Sequence, residues 1–324
     1  MPDVFLNGEL MDRGDARLSA FDASVQHAVG LFETMLAVGG AEDDGGPDVV
    51  GLDLHLERLI ASAAELGLVE QLRPAPLREA VLRTLESSGV ADDRSKHARV
   101  RLTITGGDLN LLQAGGGGPH QPTVMVQVQP ATRYPDELFE RGAMASVADL
   151  KVNPFNPFEG HKTLNYWPRL RALQLASAKG AAEALVFGVT NHLAGGCVSN
   201  ALLVKDGRIL TPIARGEEET VVEEHEKALG KDSPKTERGA VLPSPVLPGV
   251  TRAMVLDAAQ DRGIGVVKQM LTVDDVMTAD ELLLTNSSWG VLPVTRIESH
   301  QVGGEEAGEV ARLMRSWWVE RLAG

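Results

Sequence analysis

Residues 160–166 read GHKTLNY, a turn glycine followed by a lysine and then by a leucine-spaced run. Leu164, Leu170, Leu173 and Leu175 precede Gly180, so the spacing predicts a helix over 164–179 with Lys162 at a loop-to-helix junction. Downstream, EALVFGV (183–189) reads as a buried strand. ALLVKDGRIL (201–210) reads as a hairpin turning at Asp206-Gly207, with Thr211-Pro212 ending its second strand. Upstream, FLNGEL (5–10) carries a second hairpin signal at Asn7-Gly8. LDLHLERLIASAAELG (52–67) sets Leu52, Leu56, Leu59, Ile60, Ala63 and Leu66 at helical spacing, with Gly67 as a stop. VRLTIT (100–105) and the run Val124–Val128 fit strands. Strands and helices therefore mix along the whole length, and an α/β class is expected.

The 324 residues are 43% apolar, enough for about two domains that bury their own cores without staples. QPATRYPDE (129–137) has two prolines and a change of pattern, which predicts a first domain over 1–130, a linker at 131–136 and a second domain over 137–324. Gly115–Gly118 with Pro119 is expected to be a flexible loop, and the charge-rich stretch 215–239 a solvated excursion with some helix. The net charge is −14 and only 4% of residues are aromatic, so nucleic acid and anionic membranes are poor partners. No stretch is apolar enough for a membrane helix. The single cysteine, Cys197, cannot form an internal disulfide, and MPDVFLNGEL has no signal-peptide pattern; a cytoplasmic protein is expected.

The residues that could carry chemistry are few. There is no CxxC, HExxH, P-loop, GxGxxG after a strand or GxSxG, and the histidines fall at no metal-ligand spacing. No metal site is expected. Lys162 remains, with three glycine-bearing turns, GGCVSN (195–200), LPGVTR (247–252) and TNSSWG (285–290), whose backbone N–H groups could meet an anion.

These segments, in this order, resemble the class IV aminotransferases, the fold type IV pyridoxal-phosphate enzymes. FLNGEL, FDASVQHAVGLFETM, LHLERLIASAAELGL, RVRLTITGG, GHKTLNYWPRLRALQLA, SNALLVKDGRILTP, LPGVTRAMVL and ADELLLTNSSWGVLPV carry the resemblance across nearly the whole chain. It implies a two-domain α/β (α+β) fold like that of D-amino-acid aminotransferase, with pyridoxal 5'-phosphate in a cleft between domains. It also implies a homodimer and a small amino-acid or aminodeoxychorismate-like substrate. Lys162 matches the lysine that holds the cofactor and moves the substrate proton, chemistry that suits a desolvated amine near other cations. Arg58 matches the phosphate-binding arginine, and the amides of Val250 and Thr251 with Ser287 match the rest of the phosphate cup. Tyr166 matches a tyrosine that contacts the cofactor ring oxygen. Ser199 and Asn200 lie in the remaining cofactor-binding motif.

The chain departs from the pattern at Gly195. The family has Glu-Gly-x-x-Ser-Asn there, its glutamate paired with the pyridine nitrogen, and this chain has Gly195-Gly196-Cys197-Val198-Ser199-Asn200. Losing that carboxylate weakens the ring as an electron sink; His192 is a candidate replacement. His27-Ala28-Val29-Gly30 also stands where an aromatic residue and Gly-Asp-Gly are usual. Gly106 replaces the arginine of the D-specific aminotransferases. Three activities stay open. The first is an aminodeoxychorismate lyase of folate synthesis, releasing pyruvate to leave 4-aminobenzoate, which TNSSWGVLPV favours. The others are a branched-chain or other amino-acid aminotransferase, and a non-catalytic relative.

Overall fold

A tight hairpin opens the structure. β1 (Val4–Leu6) and β2 (Glu9–Met11) pair antiparallel around Asn7 and Gly8, both at positive φ (49° and 106°), as an Asn-Gly turn requires. The computed structural model describes residues 3–40, 46–69, 71–108, 121–222 and 242–323; Gly115–Gly118 and most of the 215–239 excursion lie outside these.

Two compact units divide the chain. The first comprises residues 1–133 and 161–166. After the hairpin come α1 (Ala23–His27), β3 (Gly30–Val38), β4 (Asp48–Val49), α2 (Leu52–Glu65), α3 (Pro74–Ser88), β5 (His97–Thr105) and β6 (Val124–Pro130). Their strands form one sheet in the order β2-β1-β6-β5-β3-β4. Alternation along β3 and β5 sends Leu31, Met35, Val100, Leu102 and Ile104 into a core with Leu52, Leu56, Leu59 and Ala63 of α2. Ala28 caps α1 at φ 55°, a left-handed position that a glycine would occupy without strain.

Residues 161–166 form an extended segment of this first unit rather than part of a helix. Leu31 pairs antiparallel with Thr163, the Phe32 amide donates to the Lys162 carbonyl at 3.0 Å, and the Leu164 amide donates to the Gly30 carbonyl at 2.9 Å. The expected helix over 164–179 begins only at Trp167, because the pairing with β3 holds residues 162–164 extended; Pro168 falls in the first turn, where its missing N–H costs nothing. Its leucines are not its buried stripe: Ala172 and Ala176 are buried, whereas Leu170 and Leu175 are exposed. Lys162 thus lies on an edge segment beside β3, and residues 161–166 belong with the first unit instead of the 137–324 domain.

The second unit comprises residues 134–160 and 167–324. It contains α4 (Asp136–Glu140), β7 (Ala143–Val152), α5 (Trp167–Ala178), β8 (Glu183–Gly188), β9 (Leu193–Gly196), β10 (Asn200–Lys205) and β11 (Arg208–Thr211). There follow α6 (Val250–Asp261), β12 (Val266–Lys268), α7 (Val273–Met277), β13 (Glu281–Asn286), β14 (Gly290–Ile297), β15 (His300–Gln301) and α8 (Glu309–Ala323). The strands make a nine-stranded mixed sheet ordered β12-β11-β10-β13-β14-β7-β8-β9, with β15 on β14. β8 is buried along its whole length. Asp206-Gly207 turns the β10–β11 hairpin as the sequence predicts. Glu217, placed by sequence in a solvated stretch, instead ion-pairs with the buried Arg252 of α6 at 2.9 Å and with Lys268 at 2.9 Å. No helix among the described residues is long and apolar enough to cross a membrane.

Candidate active site

The first unit assembles one set of groups from β3, β5, α2 and the lysine segment. Lys162 Nζ lies 4.5 Å from the centre of the Phe32 ring and 5.6 Å from that of Tyr166. Tyr166 meets Phe32 edge-on, ring centres 5.3 Å apart. The guanidinium carbon of Arg101 sits 3.8 Å from the Phe32 ring centre. Phe32 is therefore the aromatic surface against which an amine, a phenol and a guanidinium are arranged. Arg101 has no acidic partner among the described residues, and burial together with the charge of Arg99 lowers its pKa.

On the other face of β3, Glu33 points to α2. Its Oε1 accepts from Arg58 Nε at 2.9 Å and its Oε2 from Arg58 Nη2 at 2.5 Å, a two-pronged pair. His55 Nδ1 lies 2.7 Å from the same Oε2. Burial alone would raise the Glu33 carboxyl, but the Arg58 charge and the His55 bond hold it down at about 2. Burial lowers the pKa of His55 against the pull of the Glu33 bond and charge, with the Arg58 and Lys162 charges acting in the same direction as burial. Neutral His55 then donates its Nδ1 proton to Glu33, so that nitrogen cannot accept from Arg58. In sequence Arg58 stands beside Glu57; the structure gives it Glu33 as partner, which fixes the guanidinium in place.

The second unit gathers the three turns. Asn200 pairs across the sheet with Thr285 and donates its side-chain amide to the Leu247 carbonyl at 2.8 Å. Gly249 caps α6; a Cβ there would fall 1.8 Å from Asn200 Oδ1. Val250 and Thr251, both buried, open the helix, so their amides belong to its unpaired first turn. Asn286 joins the turns: its Oδ1 accepts from the Ser288 and Trp289 amides at 2.8 and 3.0 Å, and its Nδ2 donates to the Val198 carbonyl at 3.2 Å. Ser287 sits within this turn. The Thr285 hydroxyl is buried with no hydrogen-bond partner among the described residues.

Glu183 of β8 organises the turn containing Gly195. Its oxygens accept from the amides of Ala184, Cys197 and Val198 at 2.9, 3.1 and 3.1 Å and from the Ser199 hydroxyl at 2.9 Å. Burial pushes this carboxyl up, against the pull of those donors. Ser199 therefore supports the turn, and Asn200 supports the α6 entrance. Gly195 has φ +131°, and a Cβ on it would come 2.9 Å from the Ser199 carbonyl oxygen. His192 lies in the β8–β9 turn with Nδ1 3.0 Å from Thr190 Oγ1. The sequence reading missed Phe32, Glu33, His55, Arg101 and Glu183. A charged residue inside the apolar strand GLFETMLAV and the His-x-x-Arg spacing on α2 were the available signals.

In the first unit, an amine backed by aromatic rings and a paired arginine are groups that suit a phosphorylated aldehyde; in the second, a helix N-terminus suits an anion. The model of the amino-transferase class IV family matches residues 30–221 and 237–297. The chain belongs to the class IV aminotransferase family. It is 29% identical over 314 residues to a Methanocaldococcus jannaschii protein provisionally named a branched-chain-amino-acid aminotransferase, covering 96% of this chain and 93% of that one. It is 24% identical to the Bacillus subtilis aminodeoxychorismate lyase, covering 98% and 94% respectively. The branched-chain amino acid aminotransferase of T.th., solved with pyridoxamine 5'-phosphate, superposes with a TM-score of 0.80 at 25% identity, covering 100% of this chain and 94% of the other. Members of this class IV family are pyridoxal-phosphate enzymes with this two-sheet fold.

Proposed function

We propose that Lys162 carries pyridoxal phosphate and that the reaction supported best is elimination of pyruvate from 4-amino-4-deoxychorismate. Gly195 is the observation that carries this reading. Its backbone excludes a side chain without rearrangement, and Glu183, which reaches the same turn, commits both oxygens to four donors. Bound pyridoxal phosphate supplies an electron sink when the substrate gives up a proton. With no carboxylate at Gly195 that sink is weaker, and a reaction drawn forward by an aromatic product tolerates the loss better than amino transfer does.

The residues divide the remaining work. Lys162 Nζ takes and returns the proton at the amino-bearing carbon, while Phe32 and Tyr166 wall it from water. Arg101 offers its guanidinium to a substrate carboxylate. Arg58, the Val250 and Thr251 amides and Ser287 are assigned to the phosphate. A second reading, amino transfer on a branched-chain amino acid, is favoured by the likeness to the Methanocaldococcus jannaschii relative. A paired assay of pyruvate release and amino transfer tests the choice: release without transfer supports the lyase, and transfer without release overturns it. We also assign the chain to a homodimer, since Phe155, Phe158 and Trp167 of the second unit are exposed aromatics.

A further inference from the structure

The residue preceding Lys162 has no role in the reading above, yet its side chain is only 3% exposed. His161 Nδ1 lies 2.9 Å from the hydroxyl of Ser62 on α2, and Nε2 lies 3.6 Å from Glu65 Oε2. Ser62 is itself buried. His55, Arg58, Ser62 and Glu65 follow one another at spacings of three, four and three, which puts them on one stripe of α2. That stripe holds Glu33 of β3 at one end and His161 at the other.

Neighbouring side chains on an extended segment point to opposite sides. On β3, Glu33 faces α2 and Phe32 faces away from it. On the lysine segment His161 faces α2, and Lys162 emerges on the side of Phe32, 4.5 Å from its ring. The two backbone bonds to Phe32 and Gly30 fix the segment's distance from β3. A slip of one residue would exchange the two faces.

We propose that His161 is a positioning residue, whose hydrogen bond to Ser62 selects the face of the segment on which Lys162 stands and sets the reach of its amine. This rests on the proposed function insofar as Lys162 carries the cofactor. The stripe also ties the position of that lysine to Arg58, so one helix sets both the amine and the proposed phosphate arginine.

Wild type, His161→Ala, His161→Asn and Ser62→Ala, loaded with pyridoxal phosphate, are compared for cofactor retention, visible spectrum, the fraction fixed to Lys162 by borohydride, and Tm. In cofactor-free samples the rate at which acetic anhydride labels Lys162 is read by peptide mapping. Loss of one buried hydrogen bond predicts about tenfold weaker retention for His161→Ala, with a changed spectrum and an altered labelling rate. Asn keeps a polar atom near the Nδ1 position and should restore most of these properties; Ser62→Ala, a smaller change, should follow His161→Ala in direction. Wild-type spectrum, retention and labelling in both Ala variants, whatever their Tm, would overturn the proposal. A wild type that fixes no cofactor on Lys162 would instead overturn the proposed function, while the labelling rates still decide whether His161 positions the amine.

Discussion

Glu33 shows how a single buried charge can govern a site. Its carboxyl titrates at about 2 against an ordinary 4.5, so the native state binds this proton less readily than the unfolded chain does. The contribution to stability, about 3 kcal/mol by linkage, is complete above pH 4.5 and is lost as pH falls toward 2. Glu33→Gln should cost about 3–5 kcal/mol at neutral pH, because it leaves Arg58 buried beside an uncharged amide. Denaturant unfolding at pH 7 and pH 3 checks both statements: the gap between wild type and variant should narrow at the lower pH, and an equal gap would refute the linkage. Gly195 presents the opposite case, a position whose backbone leaves no room for a side chain. Gly195→Ala should destabilise by about 1–3 kcal/mol, since a Cβ meets the Ser199 carbonyl at a φ that L-residues avoid. Gly195→Glu should cost no less, because it brings the same Cβ with a larger side chain. An alanine variant as stable as wild type would show that the turn has room.

At the scale of elements, the sequence announced those whose signals are local. Asn7-Gly8 and Asp206-Gly207 force positive φ, so both hairpins could be read from two residues each, and the stripe of α2 could be read from its leucines. The lysine segment could not. It is extended because β3 and α2 grip it, contacts that no window around residue 162 contains, and its leucine intervals imitate a helix that begins only at Trp167. The site was legible in the same uneven way. Lys162, Arg58, Val250 and Thr251 stood out by motif, whereas Glu33, Arg101 and Glu183 act through partners far along the chain. Asn286 is a joint of this long-range kind, linking its own turn to the Val198 carbonyl. Asn286→Ala should lose about 1–3 kcal/mol of stability and loosen both turns, seen as faster amide exchange at Val198 and Ser288; unchanged exchange would place the coupling elsewhere.

For the whole molecule, Phe155 at 73% and Trp167 at 79% exposure are large apolar surfaces in a chain of net charge −14. Charge keeps such a chain dispersed, so exposed aromatics gain most where a second copy covers them. Sedimentation at micromolar concentration should give a dimer, and Trp167→Asp should shift it toward monomer; a wild-type monomer would contradict the assignment. The two units carry different parts of the proposed chemistry, amine and arginines in one and helix N-terminus and turns in the other, and the account depends on one covalent point. Borohydride reduction of the purified protein with pyridoxal phosphate, followed by peptide mapping, tests it most directly. The label should fall on Lys162 and vanish in Lys162→Ala together with turnover. Label on another lysine, or turnover that survives the substitution, would contradict the account.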